Sequence, residues 1–212
     1  MEYVDIYDCN YNHIGQEEKE KAHKQGMWHS SFHCWIIRPN NKILFQLRSK
    51  DKTTYPDRLD ISAAGHLSAG EEIIDGIREI NEELGIEVIP DELTYLGYKQ
   101  HAKNIPTKNG MHHNREFQHT FILKNDIPLT EFKLQEEELD GIFEIDIKDA
   151  LALFNEETNE IQAIGFLINN GIITAKTRTV NKSHFVSRPK WSYLKILIMA
   201  ERYINGEKLL AI

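Results

Sequence analysis

The sequence predicts an α+β protein that ends in a helical extension. Apolar residues follow a period of two in some segments and a helical period in others. The two kinds of segment do not alternate regularly, as they would in a doubly wound parallel sheet. A length of 212 residues suits one ordinary domain with appendages, or two small ones. We expect a main domain at residues 1–150 and a helical extension at 151–212.

All of the predicted strands lie in the first 150 residues. Two apolar runs, WIIRP and KILFQLRS, flank Pro39-Asn40-Asn41 and are predicted to form a hairpin. Other strands are predicted in short apolar or alternating stretches at residues 3–7, 59–67, 87–102 (after a turn), 115–124 and 133–146 (after an acidic loop). Residues 103–114 are predicted to be a loop.

Helices are predicted in three places. The first covers residues 72–84 and ends at Gly85, a usual helix stop. The second, DIKDALALFN, starts with either Asp146 or Asp149 as its cap. Residues 156–212 are predicted to be helical apart from a basic interruption, KTRTVNKSHFVSRPK. The last helix, WSYLKILIMAERYI, is expected to pack on the core or to form an interface with a second copy of the chain.

Composition restricts the partners and the compartment. The net charge of −8 argues against a nucleic-acid backbone or an anionic membrane as the main partner. An anionic phosphorylated substrate stays possible if a divalent metal bridges it to the protein. The two cysteines, Cys9 and Cys34, form no disulfide framework and no paired metal spacing. Because neither signal-peptide features nor a long apolar run is present, we expect a cytoplasmic protein.

The stretch GHLSAGEEIIDGIREINEELGI at residues 65–86 carries an unusual concentration of carboxylates. Apolar residues form one helical stripe: Ile73, Ile77, Ile80 and Leu84. Glu79, Glu82 and Glu83 lie side by side on the opposite face, where like charges repel. One interpretation is a solvated acidic face. The other is a site for Mg²⁺ or Mn²⁺, which clustered carboxylates hold together with substrate oxygens.

The same stretch resembles the signature of the Nudix hydrolase family. The first half of that signature is matched by Gly65 and Glu71. The second half is matched at every specified position by Arg78, Glu79, Ile80, Glu82, Glu83, Gly85 and Ile86. Six residues separate Glu71 from Arg78, whereas the family pattern has seven. This difference leaves open whether Glu71 or Glu72 plays the part of the first glutamate.

The resemblance implies an α/β/α sandwich around a mixed sheet, with this helix supplying the metal site. Glu79, Glu82 and Glu83 would hold Mg²⁺ or Mn²⁺ against the diphosphate of a small molecule, often a nucleoside diphosphate derivative. Arg78 would orient them, and Gly65, Glu71 and Gly85 would shape the motif. Family members commonly use one more carboxylate as ligand or base. The candidates are Glu116 and the three glutamates Glu136, Glu137 and Glu138.

A narrower resemblance covers residues 25–125. The stretches HSSFHCWII, ILFQLRSKDKTTYPDRLDISAAGH and NREFQHTF are similar to the family branch that contains isopentenyl-diphosphate isomerase. That likeness implies diphosphate contacts for Arg48 and Lys52, and a metal or substrate contact for His29, His66 and Glu116. The isomerase needs a cysteine where this chain has Ala64, and alanine transfers no proton.

Three functions are therefore compared. The preferred one is metal-dependent hydrolysis of a diphosphate linkage. The second is isomerisation of isopentenyl diphosphate, which Ala64 disfavours. The third is a non-catalytic binding module on the same fold, which has no need for the clustered carboxylates. The basic run from Lys176 to Arg188 is a further candidate for contact with a phosphorylated substrate.

Overall fold

The computed structural model describes residues 1–108, 110–189 and 191–212. Within these ranges the chain forms eleven strands and four α-helices. The strands are β1 (Tyr3–Tyr7), β2 (His13–Glu18), β3 (Trp28–Arg38), β4 (Lys42–Arg48), β5 (Leu59–Asp60), β6 (Ala63–His66), β7 (Leu93–Thr107), β8 (Gly110–Lys124), β9 (Leu139–Asp146), β10 (Ile161–Asn169) and β11 (Ile172–Val180). The helices are α1 (Lys19–Gln25), α2 (Arg78–Leu84), α3 (Ile147–Phe154) and α4 (Ser192–Ile204). No helix in the described ranges is both long and apolar enough to cross a membrane.

The strands form one mixed sheet that branches at β3. The main path runs β11-β10-β9-β4-β3-β1-β2, with β5 beside β4 and β6 beside β3. Strand β3 also pairs in parallel with β8, which forms a long antiparallel hairpin with β7. The predicted hairpin around Pro39 is present, since Ile37 pairs with Ile43 and Arg38 with Lys42. The branching places β6, β8 and the start of β3 side by side, where the site is built.

Alternating side chains on β3 place a hydrophobic core on each face of the sheet. Trp35 and Ile37 join the core that contains α3 and α4, whereas Phe32, Cys34 and Ile36 join the core that contains α2. Such alternation with both faces buried requires a helical layer on each side. The predicted α/β/α sandwich with a mixed sheet is therefore confirmed.

The helix predicted at residues 72–84 has two parts. Residues Ile73–Ile77 form 3₁₀ turns, and the α-helix α2 follows at Arg78–Leu84. A 3₁₀ turn rises about 2.0 Å per residue, against about 1.5 Å in an α-helix. The 3₁₀ stretch therefore covers the same distance with one residue fewer, which accounts for the short spacing before Arg78. Gly85 ends the helix in the left-handed region, with φ of 66°.

The helical prediction is wrong for residues 161–175, and residues 176–180, predicted as the start of the basic interruption, form a strand as well. These residues form the hairpin β10–β11, and β10 pairs with β9 and so extends the main sheet. Asn170 and Gly171 connect the strands with φ values of 50° and 74°, as a tight two-residue hairpin turn requires. The Asn-Gly turn signal and the β-branched residues around it outweigh the apolar period that suggested a helix. The sheet thus continues past residue 150, where the extension was expected to begin.

The loop prediction for residues 103–114 is also wrong. Strand β7 continues to Thr107 and β8 begins at Gly110, with Thr107 paired to Gly110. Asn109, at the centre of the predicted loop, lies outside the described residues. Polar side chains alternate on both strands here, so no apolar pattern revealed them. The consequence for function is that residues such as His112 lie on a strand, next to the site.

Asp146 gives a stability prediction, because it ends β9 and caps α3. Its carboxylate accepts hydrogen bonds from the amides of Lys148 at 2.8 Å and Asp149 at 3.4 Å. Asp146→Ala should therefore lower the free energy of unfolding by about 1 kcal/mol, measured by urea denaturation. Asp149→Ala is the matched control, since it removes a first-turn charge but no cap, and should cost only a few tenths of a kcal/mol. Equal losses in the two variants would contradict this assignment of the cap.

Candidate active site

A large polar cleft of about 1470 Å³ lies beside β6, α2 and the hairpin β7–β8. The glutamates of α2 line one side of it, and histidines and further polar residues line the rest. Among the predicted site residues, the lining includes Arg48, Lys52, Gly65, His66, Arg78, Glu79, Glu82, Glu83 and Glu116. The fold therefore brings these residues into one cavity, whereas Glu71, Gly85 and His29 are not among its described lining residues.

Arg78 connects the carboxylates on this side of the cleft. Its guanidinium donates to Glu71 at 2.7 and 3.0 Å, to Glu79 at 2.6 Å and to Glu82 at 3.2 Å. It also donates to the carbonyl oxygen of His66 at 2.9 Å. These contacts raise the pKa of Arg78 above its usual value, with the hydrogen bond to Glu71 as the main cause. Arg78 thus holds the helix, the loop before it and β6 in one arrangement.

Glu71, rather than Glu72, is the glutamate that contacts Arg78. Its two oxygens face Arg78, and one of them accepts the amide of Ser68 at 2.7 Å. The neighbouring Glu72 instead caps the 3₁₀ turn with Asp75. The contacts with Arg78 favour Glu71 over Glu72 for the part of the first glutamate, and that role stays a prediction.

Gly65 allows Glu79 to lie directly against β6. A Cβ atom built on Gly65 would lie 2.0–2.2 Å from the carboxylate atoms of Glu79, a separation that no real structure tolerates. Burial raises the pKa of Glu79, although Arg78 opposes that shift. A carboxylate held in this way is short of positive charge, and a cation would supply it.

Glu83 is the most deeply buried glutamate of the set. Its Oε2 atom accepts hydrogen bonds from the amide of Ala64 at 3.0 Å and from the side chain of Gln46 at 3.1 Å. Burial raises its pKa to about 8, and the charge of Glu79 adds to this shift. The remaining oxygen, Oε1, has no hydrogen bond within the described residues and is available as a ligand.

A cluster of histidines forms a second possible cation site. His23, His29 and His66 each offer a ring nitrogen, and these atoms lie within 4.8 Å of one another. Buried ring nitrogens of all three make no hydrogen bond within the described ranges: His23 Nδ1, His29 Nε2 and His66 Nε2. Convergent, buried ring nitrogens are a donor set that a transition metal fits.

The protonation of His29 supports this interpretation. Its Nδ1 atom lies 2.9 Å from the carbonyl oxygen of Met27, which can only accept, so Nδ1 carries the proton. The lone pair is then on Nε2, which faces the cluster. Burial and neighbouring histidines lower the pKa of His23 to about 2 and that of His29 to about 4. Both rings are therefore neutral near pH 7 and ready to bind a metal.

Glu116 belongs to the histidine cluster. It is the pairing partner of His29 across β3 and β8, and its Oε1 atom lies 3.3 Å from Nε2 of His66. The second carboxylate oxygen accepts a hydrogen bond from the side chain of Gln118. Burial opposes ionisation of Glu116, but contact with His66 outweighs it and holds its pKa well below the usual value. Glu116 thus offers a charged ligand to the same site.

The two cations expected to contact a diphosphate have partners within the chain. Arg48 donates to the carbonyl oxygen of Thr54 at 2.9 and 3.2 Å and to Asp60 at 3.4 Å. Lys52 forms an ion pair with Glu138. Arg48 therefore also fixes the loop that follows β4, and Lys52 shares its charge with a carboxylate. A diphosphate contact of either residue stays a prediction.

Of the three acidic-loop candidates, Glu138 lines the cleft. Glu136 accepts the amides of Asn170 and Gly171 at 2.6 and 2.7 Å, so it anchors the β10–β11 turn. Further residues that line the cleft were not predicted as site residues: His23, Lys103 and His112. Arg188, the last residue of the predicted basic run, also lines it. A search for histidines near His29 would have suggested His23, whereas Lys103 and His112 were hidden by the incorrect loop prediction.

The site is thus that of an enzyme with a carboxylate helix beside a histidine cluster. The family described as the NUDIX domain matches residues 27–164 of this chain. A Nudix hydrolase of Clostridium acetobutylicum, described as uncharacterized, is 35% identical over 203 residues, which cover 94% of this chain and 96% of the relative. The chain therefore belongs to the Nudix family and is a pyrophosphohydrolase of that type.

Two other comparisons agree with this family. Isopentenyl-diphosphate Delta-isomerase 1 of Photorhabdus laumondii is 35% identical over 154 residues, which cover 70% of this chain and 82% of the relative. The crystal structure of DR0079 from Deinococcus radiodurans covers 73% of this chain and 90% of its own, with a TM-score of 0.54 and 18% identity. The first shows that the family includes the isomerase branch, and the second shows the fold.

Glu83 leads to a pH-dependent prediction for the metal-free protein. Its pKa of about 8 in the folded state exceeds that of an unfolded glutamate, about 4.5, so the folded chain binds the extra proton between these values. The contribution of Glu83 to stability should therefore be lost as pH rises through this window, by up to about 1.4 kcal/mol per pH unit. Glu83→Gln keeps an oxygen for both hydrogen bonds and removes this loss.

Urea denaturation in EDTA at pH 5 and pH 8 measures the effect. The stability of Glu83→Gln relative to wild type should be greater at pH 8 than at pH 5, while the exposed control Glu72→Gln should show no such change. An identical difference between Glu83→Gln and wild type at both pH values would contradict the elevated pKa.

Proposed function

We propose that this enzyme is a metal-dependent hydrolase that cleaves a diphosphate linkage in a nucleotide-type or similarly polar small molecule. The observation that carries the proposal is the convergence of Glu79, Glu82 and Glu83 on one side of a large polar cleft. Two of these carboxylates have raised pKa values because they are buried without enough positive charge. Mg²⁺ or Mn²⁺ fits such oxygen donors and would supply that charge.

The residues around the carboxylates have distinct proposed roles. When bound, the cation neutralises the diphosphate and makes phosphorus more electrophilic. Glu79 and Glu83 are held by Arg78 and Ala64 respectively, so they are proposed as fixed ligands. Glu82 has a half-exposed side chain and a single bond to Arg78. It can therefore reach a water molecule in the cleft, and we assign to it the removal of that water's proton.

The histidine cluster is proposed to hold a second cation. His23, His29 and His66 offer nitrogen ligands and Glu116 offers an oxygen, a mixed set that favours a transition metal over Mg²⁺. His66 follows Gly65 on β6 and is tied through its carbonyl oxygen to Arg78. The two cation sites are thus connected through the chain as well as through the cleft.

The lining of the cleft favours a polar substrate over a prenyl chain. Apolar side chains are few among the described lining residues, and they are Ala64, Ile105, Met111 and Val186. A prenyl tail would need an extended apolar wall, because its transfer from water is favourable only into apolar surroundings. Isomerisation of isopentenyl diphosphate is the second candidate, supported by the histidine cluster. It lacks a proton donor at Ala64, whose backbone amide instead binds Glu83.

Replacing Glu82 tests the hydrolase proposal. Glu82→Gln should reduce kcat at least about 100-fold in a phosphate-release assay with Mg²⁺ or Mn²⁺, because an amide cannot accept the proton. The assay uses nucleoside triphosphates, sugar nucleotides, dinucleoside polyphosphates and prenyl diphosphates. Glu72→Gln, which changes an exposed carboxylate outside the cleft, is the control and should keep full activity. If Glu82→Gln turns over substrate like wild type, Glu82 does not remove the proton. If the wild type binds a ligand from the panel but releases no phosphate, the chain is a binding module.

Metal analysis tests the histidine cluster separately. Protein exposed to equimolar Zn²⁺ and Mn²⁺ and then desalted should retain about one transition metal ion per chain, measured by mass spectrometry. His29→Gln should retain far less, because a buried nitrogen ligand is lost and its amide replacement binds weakly. His13→Gln, an exposed histidine on β2, is the matched control. Equal metal content in wild type and His29→Gln would contradict the second cation site.

A further inference from the structure

The segment between β11 and α4 brings a basic side chain into the cleft. Phe185 and Val186 are buried, and the amide of Val186 donates to the carbonyl oxygen of Leu59 at 2.9 Å. The hydroxyl of Tyr193 donates to the carbonyl oxygen of Val186, also at 2.9 Å. These contacts fix the backbone just before Arg188, which lines the cleft. The matched family region ends at residue 164, so this wall of the cleft comes from outside it.

Arg188 lines the cleft, but one of its hydrogen-bond donors has no partner within the described residues. Its side chain is only 10% exposed and forms an ion pair with Asp60. The guanidinium carbon lies 6.0 Å from the centre of the Tyr193 ring. Its Nε atom is buried and makes no hydrogen bond within the described residues. An arginine with spare donors in a polar cavity is suited to binding an oxyanion.

The side chains around Arg188 carry more positive than negative charge. Asp60 accepts from Arg188 through Oδ1 and from Arg48 through Oδ2. Lys103 donates to the carbonyl oxygen of Ser187 at 2.7 Å, and in the described part of the chain it has no carboxylate partner within 4.0 Å. Lys99 lies four residues before Lys103 on the same face of β7, and burial together with Arg188 lowers its pKa to about 8. This wall therefore carries an excess of positive charge.

The distance from this wall to the carboxylate site is short. Asp60, the partner of Arg188, pairs with Gln46 across β5 and β4, and the Gln46 amide donates to Glu83 at 3.1 Å. Side chains of directly opposed residues lie on the same face of a sheet, with Cβ atoms about 5 Å apart. One molecule of nucleotide size can therefore contact Glu83 and Arg188 together.

We propose that Arg188 and Lys103 form a second anion subsite, which binds a phosphate group of the substrate separate from the diphosphate that is cleaved. This inference rests on the proposed hydrolase function and narrows its substrate to molecules with an additional phosphate. Of the basic side chains in the run from Lys176 to Arg188, Arg188 is the one that lines the cleft, so it is the residue through which this run would select the substrate. The competing explanation is that Arg188 only anchors the C-terminal segment to Asp60.

Phosphate binding in EDTA distinguishes these explanations without any turnover. Thermal unfolding is followed with increasing inorganic phosphate, against sodium chloride of equal ionic strength, because a ligand that binds the folded state raises the midpoint. Wild type should show a phosphate-specific rise. Arg188→Met should weaken the apparent phosphate affinity about tenfold or more, as expected for the loss of a charge-assisted contact. Arg202→Met, which removes a partly exposed arginine of α4 outside the cleft, should respond like wild type.

Two further variants protect the test against a simple loss of stability. Arg188→Lys keeps the charge and should keep a reduced phosphate response, and Lys103→Met should weaken it as well. An unchanged phosphate response in Arg188→Met overturns the proposal. If Arg188→Met does not fold, an unchanged phosphate response in both Arg188→Lys and Lys103→Met overturns it instead. A response lost only in Lys52→Met also overturns it, because phosphate then binds at the site expected for the diphosphate. Failure of the hydrolase proposal would be seen separately, as absence of turnover by wild type with Mg²⁺.

Discussion

The arrangement of the carboxylates in the cleft depends on the hydrogen bonds that the Arg78 guanidinium donates. Three carboxylates and a backbone carbonyl converge on it, and without it they would repel one another in a partly buried space. Its bonds reach back to Glu71 in the loop and across to His66 on β6. A single residue therefore positions the helix that holds one proposed cation and the strand that contributes to the other. The Glu79 carboxylate can approach β6 only because Gly65 has no side chain.

The two layers of helices explain why this arrangement is rigid. On one face of the sheet, Ile80 and Leu84 bury the apolar side of α2 against Phe32 and Ile36. On the other face, α3 and α4 cover Trp35 and Phe45. The glutamates of α2 then project from a packed support, which lets buried carboxylates keep unfavourable pKa values until a cation binds. The same second layer carries Tyr193, which fixes the segment that ends in Arg188.

Sequence patterns predicted those elements that depend on residues close together in the chain. The strand alternation, the turn at Pro39 and the isoleucine stripe each involve residues close in sequence, and the motif at residues 65–86 defined the carboxylate site. Residues 103–114, which form the end of the β7–β8 hairpin, and the β10–β11 hairpin were predicted wrongly, because the first stretch has few apolar residues and the second lies at the edge of the sheet. The place of His23 in the cleft was not predicted, and Arg188 was predicted only as part of the basic run from Lys176 to Arg188. Only the pairing of β1, β3 and β8, and the bridge from Leu59 to Phe185, bring them to the cleft.

The fate of the oxygen of water tests the central claim most directly. The enzyme is incubated with Mg²⁺ in ¹⁸O-labelled water with nucleoside triphosphates, sugar nucleotides, dinucleoside polyphosphates and prenyl diphosphates. The masses of the products are then measured by mass spectrometry. Hydrolysis at a diphosphate predicts that each cleavage places one ¹⁸O atom in a phosphoryl product, because water attacks phosphorus. Turnover confined to isopentenyl diphosphate, with an allylic product that contains no ¹⁸O and gains deuterium in deuterated water, would contradict the hydrolase account.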